Sequence, residues 1–191
     1  FKYVDGTMTS LGVLTGGSYS NAYGASSDGS VIVGYSGSTD GNRAFKYVDG
    51  TMTSLGVLTG GSGSYAYGVS SDGSVIVGNS GSTDGTRAFK YVDGTMTSLG
   101  TLTGGSFSTA YGVSSDGSVI VGYSGSTDGN RAFKYVNGTM TSLGTLTGGS
   151  YSYAYGVSSD GSVIVGFSNS TDGERAFKYV DGTMTSLGTL T

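Results

Sequence analysis

The sequence contains no cysteine, histidine, tryptophan or proline among its 191 residues. Without cysteine the chain forms no disulfide, and without cysteine and histidine it lacks thiolate nucleophiles, imidazole bases and the usual ligands of transition metals. Without proline, its turns must be made by glycine, aspartate and asparagine, which tolerate a positive φ. Stability therefore has to come from packing and backbone pairing.

Charged residues are also scarce. They make up 12% of the chain, and the formal net charge is -4. The chain therefore has no basic face of the kind that neutralises a phosphate backbone, and we expect no nucleic-acid partner. No apolar run reaches the roughly 20 residues needed to cross a bilayer, so we expect no membrane span.

What the sequence does contain is a tandem repeat of 44 residues. Repeats this short cannot bury a core alone, so they must stack on one another. The most constant segment is AYGVSSDGSVIVG, which has Ala25 in place of its first valine in the first copy. The repeats span residues 1–44, 45–88, 89–132 and 133–176, and a fifth, partial repeat spans 177–191.

Each repeat is typical of two β-hairpins. In the second repeat one hairpin turns at Asp49-Gly50 and the other at Ser71-Asp72-Gly73, and Asp-Gly between two alternating runs is a strong hairpin signal. Four strands per repeat predict an all-β fold, a β-propeller or propeller-like array of four-stranded antiparallel blades, with one blade per 44-residue repeat. A parallel β-helix is the structural alternative, but it would not need such tight antiparallel turns.

The repeat count leaves one hairpin over. Four blades would use residues 1–176, and the hairpin of 177–191 would then lack a partner, although a lone hairpin is marginal in water. The chain also opens at Phe1 in phase with the repeat, from which we expect a mature fragment or an excerpt of a longer array. We predict that the last hairpin pairs with the next module or subunit, a copy of the chain itself, head-to-tail. Its predicted contact residues are Phe177, Tyr179, Met184 and Leu187.

A second candidate contact surface comes from positions that vary between repeats. Three of these positions alternate between aromatic and small polar residues, so we expect them to be exposed. Such a surface is suited to surface glycans or to a partner chain, and drift in a recently duplicated array is the alternative. The aromatic candidates are Tyr19, Tyr65, Phe107, Tyr151 and Tyr153.

Carboxylates recur in two turns, and we expect no cofactor other than calcium. The STDG loops place a carboxylate beside hydroxyl groups, but one carboxylate per loop falls short of the six to eight oxygens that calcium takes. The calcium candidates are Asp40, Asp84, Asp128 and Asp172. In the SSDGS turns we expect the carboxylate to accept hydrogen bonds from its own turn, and a ring around a pore or calcium is the alternative. These residues are Asp28, Asp72, Asp116 and Asp160.

Two asparagines, Asn137 and Asn169, begin the acceptor pattern for N-glycosylation.

The repeat resembles the extracellular HAF repeats of bacteria and archaea. The matching pieces are Ala44-Phe45, Leu55-Gly56 and the segment from Ala66 to Gly78, and they recur through the chain. Arg43 stands where that family has histidine, so a role of that histidine is not carried over. The resemblance implies a secreted or surface-exposed, propeller-like protein without established catalytic residues.

The sequence therefore predicts a protein that is not an enzyme. Acid-base and nucleophilic catalysis need unlike groups in one place, whereas every repeat carries the same few polar residues. We predict a structural module of an extracellular or cell-surface fibre, such as a biofilm matrix or an adhesive filament. The alternatives are a multivalent, lectin-like propeller that binds carbohydrate and an engineered consensus repeat propeller.

Overall fold

A computed structural model describes residues 1–189 and shows an all-β protein. Its strands form four antiparallel sheets of four strands each and one separate two-stranded hairpin. The described range contains no helix, and hence none that is long and apolar enough to cross a membrane.

Every four-stranded sheet is a meander in which neighbours in sequence are neighbours in space. The N-terminal hairpin consists of β1 (Lys2–Val4) and β2 (Thr7–Thr9). The first sheet consists of β3 (Ser20–Ala25), β4 (Val31–Ser36), β5 (Arg43–Val48) and β6 (Thr51–Ser54). The second consists of β7 (Ser64–Val69), β8 (Ile76–Ser80), β9 (Arg87–Val92) and β10 (Thr95–Gly100). The third consists of β11 (Ser108–Val113), β12 (Ile120–Ser124), β13 (Arg131–Val136) and β14 (Thr139–Ser142). The fourth consists of β15 (Ser152–Val157), β16 (Ile164–Ser170), β17 (Gly173–Val180) and β18 (Thr183–Ser186).

The predicted Asp-Gly hairpins are confirmed. Asp49 and Gly50 both have a positive φ, of 48° and 80°, which is the backbone of a type I′ turn and matches the twist of the flanking strands. Asn137 takes the aspartate position in the equivalent turn of the third sheet, with a φ of 49°. The second hairpin is also confirmed, and its returning strand is Ile76–Ser80.

The sheets are out of phase with the sequence repeat, which corrects one prediction. Each sheet joins the hairpin with the SSDGS turn, which we call the inner hairpin, of one repeat to the FKYV/TMTS hairpin of the next. The first sheet therefore crosses the boundary between residues 1–44 and 45–88. The C-terminal hairpin, β17–β18, pairs with β16 of the same chain. The prediction that the hairpin of 177–191 must pair with another module or subunit is therefore wrong, and the incomplete sheet is the N-terminal β1–β2.

The core is divided into layers between successive sheets. We call the side of a sheet that meets the preceding sheet its N-side face, and the opposite side its C-side face. Val33 and Ala44 on the C-side face of the first sheet pack against Ile76 and Phe89 on the N-side face of the second. The same contacts recur between the second and third sheets and between the third and fourth. Burial on both faces explains the continuous Val-Ile-Val run.

Buried serines link the loops of adjacent sheets. The hydroxyl of Ser64 accepts a hydrogen bond from the amide of Ala44 at 2.9 Å and donates one to the carbonyl of Gly56 at 2.5 Å. Ser108 and Ser152 make the same two contacts one and two sheets further on. These bonds fix the register of each sheet on its neighbour.

Candidate functional site

The first strand of each sheet, which we call the inner strand, contains a β-bulge. In the second sheet the register shifts between Ala66 and Gly68, so Tyr67 lies outside the pairing. The two strands come this close only because Gly78 has no side chain: a Cβ there would lie 1.9 Å from the carbonyl oxygen of Tyr65. In a regular strand Tyr65, Tyr67 and Val69 would point to one face; the bulge breaks this alternation and re-aims Tyr67.

The bulged tyrosines form a row across the molecule, which we call the tyrosine ladder: Tyr23, Tyr67, Tyr111 and Tyr155. Successive ring centroids are 5.5, 5.3 and 5.2 Å apart, the range in which aromatic pairs attract. Sequence reasoning missed the ladder, although its signal was present as one tyrosine between alanine and glycine in every repeat. The bulge that aligns these rings depends on a pairing irregularity that periodicity does not reveal.

Burial raises the pKa of tyrosines in the ladder. For Tyr67 the main cause is loss of solvent, followed by the charge that Tyr23 would carry, and the pKa rises to about 12. The pKa of Tyr111 is raised for the same reason. These phenols therefore stay neutral at physiological pH and act as apolar rings with a polar tip.

The variable positions lie beside the ladder and contact one another across sheets. Asn42 and Asn130 donate to the hydroxyls of Tyr65 and Tyr153, at 3.0 and 2.7 Å. In three further contacts like meets like: aromatic residues meet aromatic residues, and polar residues meet polar ones. The three pairs are Tyr35 with Tyr65, whose ring centroids are 4.8 Å apart, Asn79 with Thr109, whose Nδ2 and Oγ1 are 3.1 Å apart, and Tyr123 with Tyr153, whose centroids are 4.6 Å apart.

Exposure at these positions is lower than predicted. Tyr65 and Tyr153 are half-buried by these contacts, and Phe107 and Tyr151 are also half-buried, whereas Tyr19 is 45% exposed. When a residue at one of these three paired positions differs between repeats, the residue that it contacts on the neighbouring sheet therefore differs with it.

An open cleft lies beside the fourth sheet. It has a volume of about 580 Å³ and is lined by Tyr151, Tyr153, Phe167, Glu174 and neighbouring residues. Tyr151 donates a hydrogen bond to the Glu174 carboxylate at 2.7 Å, and this bond raises the pKa of the Tyr151 phenol. Aromatic rings, an amide and a carboxylate here converge on one space.

Both ends of the stack expose faces that are buried inside it. We call the C-side face of the fourth sheet the C-end face; Val165 and Leu187 there are 41% and 59% exposed, whereas Val77 and Leu99 are 0% and 6% exposed. At the other end, Phe1, Tyr3 and Met8 of the N-terminal hairpin are exposed. These residues form the N-end face.

The structure places three of the predicted C-terminal contact residues inside the chain. Phe177 is fully buried between the third and fourth sheets, and Tyr179 and Met184 pack against the same layer. Only Leu187 lies on an exposed surface. The prediction of Phe177, Tyr179 and Met184 as contacts to another subunit is wrong, because β17 and β18 complete the fourth sheet.

The carboxylates of the SSDGS turns are used within their turns, as predicted. Asp72 accepts hydrogen bonds from the Ser70 hydroxyl at 2.7 Å, the Ser74 hydroxyl at 2.8 Å and the Ser74 amide at 3.0 Å. The bond from Ser70 contributes most to lowering the pKa of this carboxyl to about 2.

The four calcium candidates, Asp40, Asp84, Asp128 and Asp172, lie in exposed turns of separate repeats. Within residues 1–189, no group of three or more acidic residues comes together as a metal site would require. Calcium binding by single loops stays a prediction.

The two candidate glycosylation sites differ. Asn137 lies exposed at the tip of a turn. The Asn169 side chain is engaged: its oxygen accepts the amides of Ser150 and Tyr151 at 2.8 and 2.9 Å, and its nitrogen donates to the Ser150 hydroxyl.

Arginine and lysine join neighbouring sheets. Arg43 donates to the carbonyl oxygens of Asn42 and Ser62, at 3.0 and 2.9 Å, and thereby links the first sheet to the loop before the second. The Lys46 ammonium lies 5.9 Å from the ring centroid of Tyr91 in the second sheet, within range of a cation–π contact.

Together, the fold and its interfaces define a tandem-repeat, all-β protein with stacked antiparallel sheets and unpaired faces at both ends. No protein-family model and no curated protein matches the sequence. The resemblance to HAF repeats therefore stays a prediction.

Solved structures of similar fold include two TolB proteins. TolB from Acinetobacter baumannii has a TM-score of 0.63 at 14% identity, over 88% of this chain and 43% of that one. A TolB from Agrobacterium tumefaciens has a TM-score of 0.64 at 16% identity, over 90% and 62%. A prolyl endopeptidase has a TM-score of 0.59 at 15% identity, over 87% and 27%. This chain spans less than two thirds of each of these proteins, and the likeness shows the fold alone.

Proposed function

We propose that the chain is a non-enzymatic structural module with propeller-like sheet stacking, which joins copies of itself head-to-tail in an extracellular or cell-surface fibre. The proposal rests on the two end faces. Each exposes residues of the type that the chain buries between its own sheets, so the two faces complement each other. A contact between unlike faces that does not close on itself produces a filament.

The residues of the joint follow from the internal interfaces. Between the second and third sheets, Val77 and Ala88 pack against Phe133 and Tyr135. In the proposed joint Val165 and Ala176 of one copy take the place of the former pair, and Phe1 and Tyr3 of the next copy take the place of the latter. The N-terminal hairpin thus takes the place of the last two strands of a fifth sheet.

The non-enzymatic part of the proposal is supported by how the polar groups are used. The Asp72 carboxylate is held by its own turn, and Arg43 by backbone carbonyls. These contacts serve the fold and the sheet register.

Sedimentation velocity and negative-stain electron microscopy test the assembly. We expect the wild-type chain to form linear oligomers that lengthen with concentration. Leu187→Asp places a charge on the C-end face and should leave monomers, whereas Val13→Asp, at an exposed loop residue, should assemble as the wild type does. A wild-type chain that stays monomeric, or a Leu187→Asp variant that assembles normally, would refute the proposal.

The cleft beside the fourth sheet supports a second candidate function, binding of carbohydrate. Sugar rings stack on aromatic faces, and Asn130 and Glu174 at the cleft supply hydrogen-bonding groups. A glycan array probed with the monomeric Leu187→Asp chain tests this candidate. We expect hits that are lost in Tyr153→Ala, and an array without hits would exclude it.

A further inference from the structure

A polar pocket recurs at the same place in different sheets. In the first sheet a cavity of about 350 Å³ is lined by the loop that enters the sheet, by the turn between β4 and β5, and by β6. A cavity of about 380 Å³ in the fourth sheet is lined by the same residue types, three repeats further on. The polar residues of the first cavity and their counterparts in the fourth sheet are Asp40 and Asp172, Arg43 and Arg175, and Thr53 and Thr185.

The pocket belongs to the sheet and not to an end of the stack. All of its lining residues come from one sheet and the loop before it, and the second and third sheets have the same residue types at these positions. One backbone hydrogen bond joins the two loops of the pocket in every sheet. The amide of Thr39 donates to the carbonyl of Thr15 at 3.1 Å, and the three equivalent bonds measure 3.0 or 3.1 Å. The four sheets therefore share the residues and the loop contact that form the pocket.

The arginine of the pocket is fixed on one side and unused on the other. Nη1 of Arg43 donates to the carbonyls of Asn42 and Ser62, and Arg87 and Arg131 are held in the same way. Within residues 1–189, Nε and Nη2 of these arginines make no hydrogen bond. These two nitrogens form an edge with parallel N–H groups, which binds a carboxylate through two hydrogen bonds. Because the side chain is half-buried and already oriented, it loses little freedom on binding.

The rest of the pocket offers partners for hydroxyl groups. The Asp40 carboxylate and the hydroxyls of Thr15 and Thr53 line the cavity and make no hydrogen bond in the described part of the chain. Met52 adds an apolar surface. One arginine and one aspartate give the pocket no net charge, so it is poorly suited to a doubly charged phosphate. It matches a ligand with one carboxylate and several hydroxyls.

We propose that each pocket binds a uronic-acid residue of an acidic polysaccharide, with the carboxylate on the Nε–Nη2 edge of the arginine and the ring hydroxyls on the aspartate and threonines. A cavity of this size is large enough for one sugar ring. Several pockets on one chain would hold a polysaccharide by avidity. The inference goes beyond the proposed fibre and the cleft beside the fourth sheet, because neither uses these residues.

Side-chain NMR of arginine reads the pockets one by one, because the chain has no arginine outside them. The isotope-labelled Leu187→Asp chain is titrated with methyl β-D-glucuronide and, separately, with methyl β-D-glucoside, which has a hydroxymethyl group in place of the carboxylate. Leu187 adjoins the fourth pocket in sequence, so the readout comes from Arg43, Arg87 and Arg131. We expect their Nε–H signals to shift to saturation with the glucuronide, which should bind about tenfold more tightly than the glucoside.

A variant in one pocket leaves the other pockets as internal controls. Thr53→Val removes a hydroxyl at an exposed residue and should weaken glucuronide binding several-fold at Arg43 alone. Arg43→Lys keeps the positive charge but removes the edge with two N–H groups. It should abolish binding in the first pocket, followed by the backbone amide of Thr53, while the signals of Arg87 and Arg131 show that the chain is folded and still binds.

Equal affinity for the two glycosides, or no shift with the glucuronide, would overturn the inference. So would a Thr53→Val variant that binds like the wild type at Arg43, or inorganic phosphate that shifts the same signals with equal affinity. The titration uses a chain that cannot join end to end and reads arginines that lie outside the cleft. A failure of fibre formation, or of sugar binding in the cleft, therefore does not affect its outcome.

Discussion

The aspartates of the SSDGS turns show how one residue organises a repeated turn. Each accepts hydrogen bonds from the serines two residues before and two residues after it, and each has a pKa lowered to about 2. The serine two residues before the aspartate also accepts a hydrogen bond from the amide just ahead of the returning strand; for Ser70 this is the amide of Val75, at 2.9 Å. The carboxylate therefore fixes the serine that holds the entry to the returning strand.

This arrangement predicts a dependence of stability on acid. The Asp72 pKa is about 2 in the folded chain and 3.8 without its partners, so the stability it contributes is present above pH 3.8 and is lost as the pH falls through 2. Asp72→Asn should lower the urea midpoint at pH 7, and the difference from wild type should vanish below pH 2. A difference of the same size at both pH values would contradict this account.

Asp84→Asn is the matched control for that experiment. Asp84 lies exposed in the STDG loop, and no hydrogen bond to its carboxylate is found within residues 1–189. We expect its urea midpoint to follow the wild type across the whole pH range.

The tyrosine ladder predicts the opposite dependence at alkaline pH. The pKa of Tyr67 rises from 10.0 to about 12 on folding because ionisation of the buried ring is disfavoured. Stability is therefore complete below pH 10 and is lost as the pH rises through 12. In Tyr67→Phe the fall in urea midpoint between pH 9 and pH 11.5 should be smaller than in wild type. Tyr3→Phe, at an exposed ring, should fall as much as the wild type.

At the scale of elements, the hairpins could be predicted and their partners could not. The turns are local: Asp49-Gly50 specifies a type I′ backbone, and the residues on either side alternate. Whether the hairpin at 45–54 joins the preceding or the following hairpin depends on contacts far apart in sequence, and a strict repeat is compatible with both. The connection over residues 37–42 is shorter than that over 55–63, and the shorter connection lies within the sheet.

The bulge was beyond prediction for a related reason. Glycine within a strand indicates a bulge or a close approach, and Gly78 provides the close approach opposite the bulge, but the alternation of Tyr65, Tyr67 and Val69 predicts a regular strand. Only the close contact between the Tyr65 carbonyl and Gly78 reveals which residue leaves the pairing.

A substitution at Gly78 tests the bulge. Gly78→Ala would bring a methyl group to within 1.9 Å of the Tyr65 carbonyl oxygen and 2.9 Å of the Ala66 Cα, so the strands must separate. We expect a loss of about 3 kcal/mol in the free energy of unfolding, as in other overpacked sites, measured by urea denaturation. Gly63→Ala, whose nearest neighbour would be at 3.5 Å, should stay within about 0.5 kcal/mol of the wild type. Similar losses for both variants would show that the bulge tolerates a side chain.

At the scale of the molecule, identical residues have different surroundings according to their place in the stack. The N-side phenylalanine of each four-stranded sheet is fully buried by the sheet before it, whereas Phe1 is 69% exposed because residues 1–189 place no sheet on the N-side of the N-terminal hairpin. On the C-side, Leu187 is exposed and its equivalent Leu143 is buried. The sequence predicted stacking and a surplus hairpin, but it placed the surplus at the wrong end, since the ends differ in pairing and not in sequence.

The same phenylalanine at three places therefore tests the phase of the whole stack. Phe89→Ala and Phe177→Ala remove fully buried rings, so each should lower the free energy of unfolding by about 3–5 kcal/mol. Phe1→Ala removes an exposed ring and should stay within about 0.5 kcal/mol when measured on dilute monomers. Urea denaturation followed by tyrosine fluorescence gives all three values. If the C-terminal hairpin were instead free to pair with another subunit, Phe177→Ala would behave like Phe1→Ala, so equal, small losses at both ends would refute the sheet order described above.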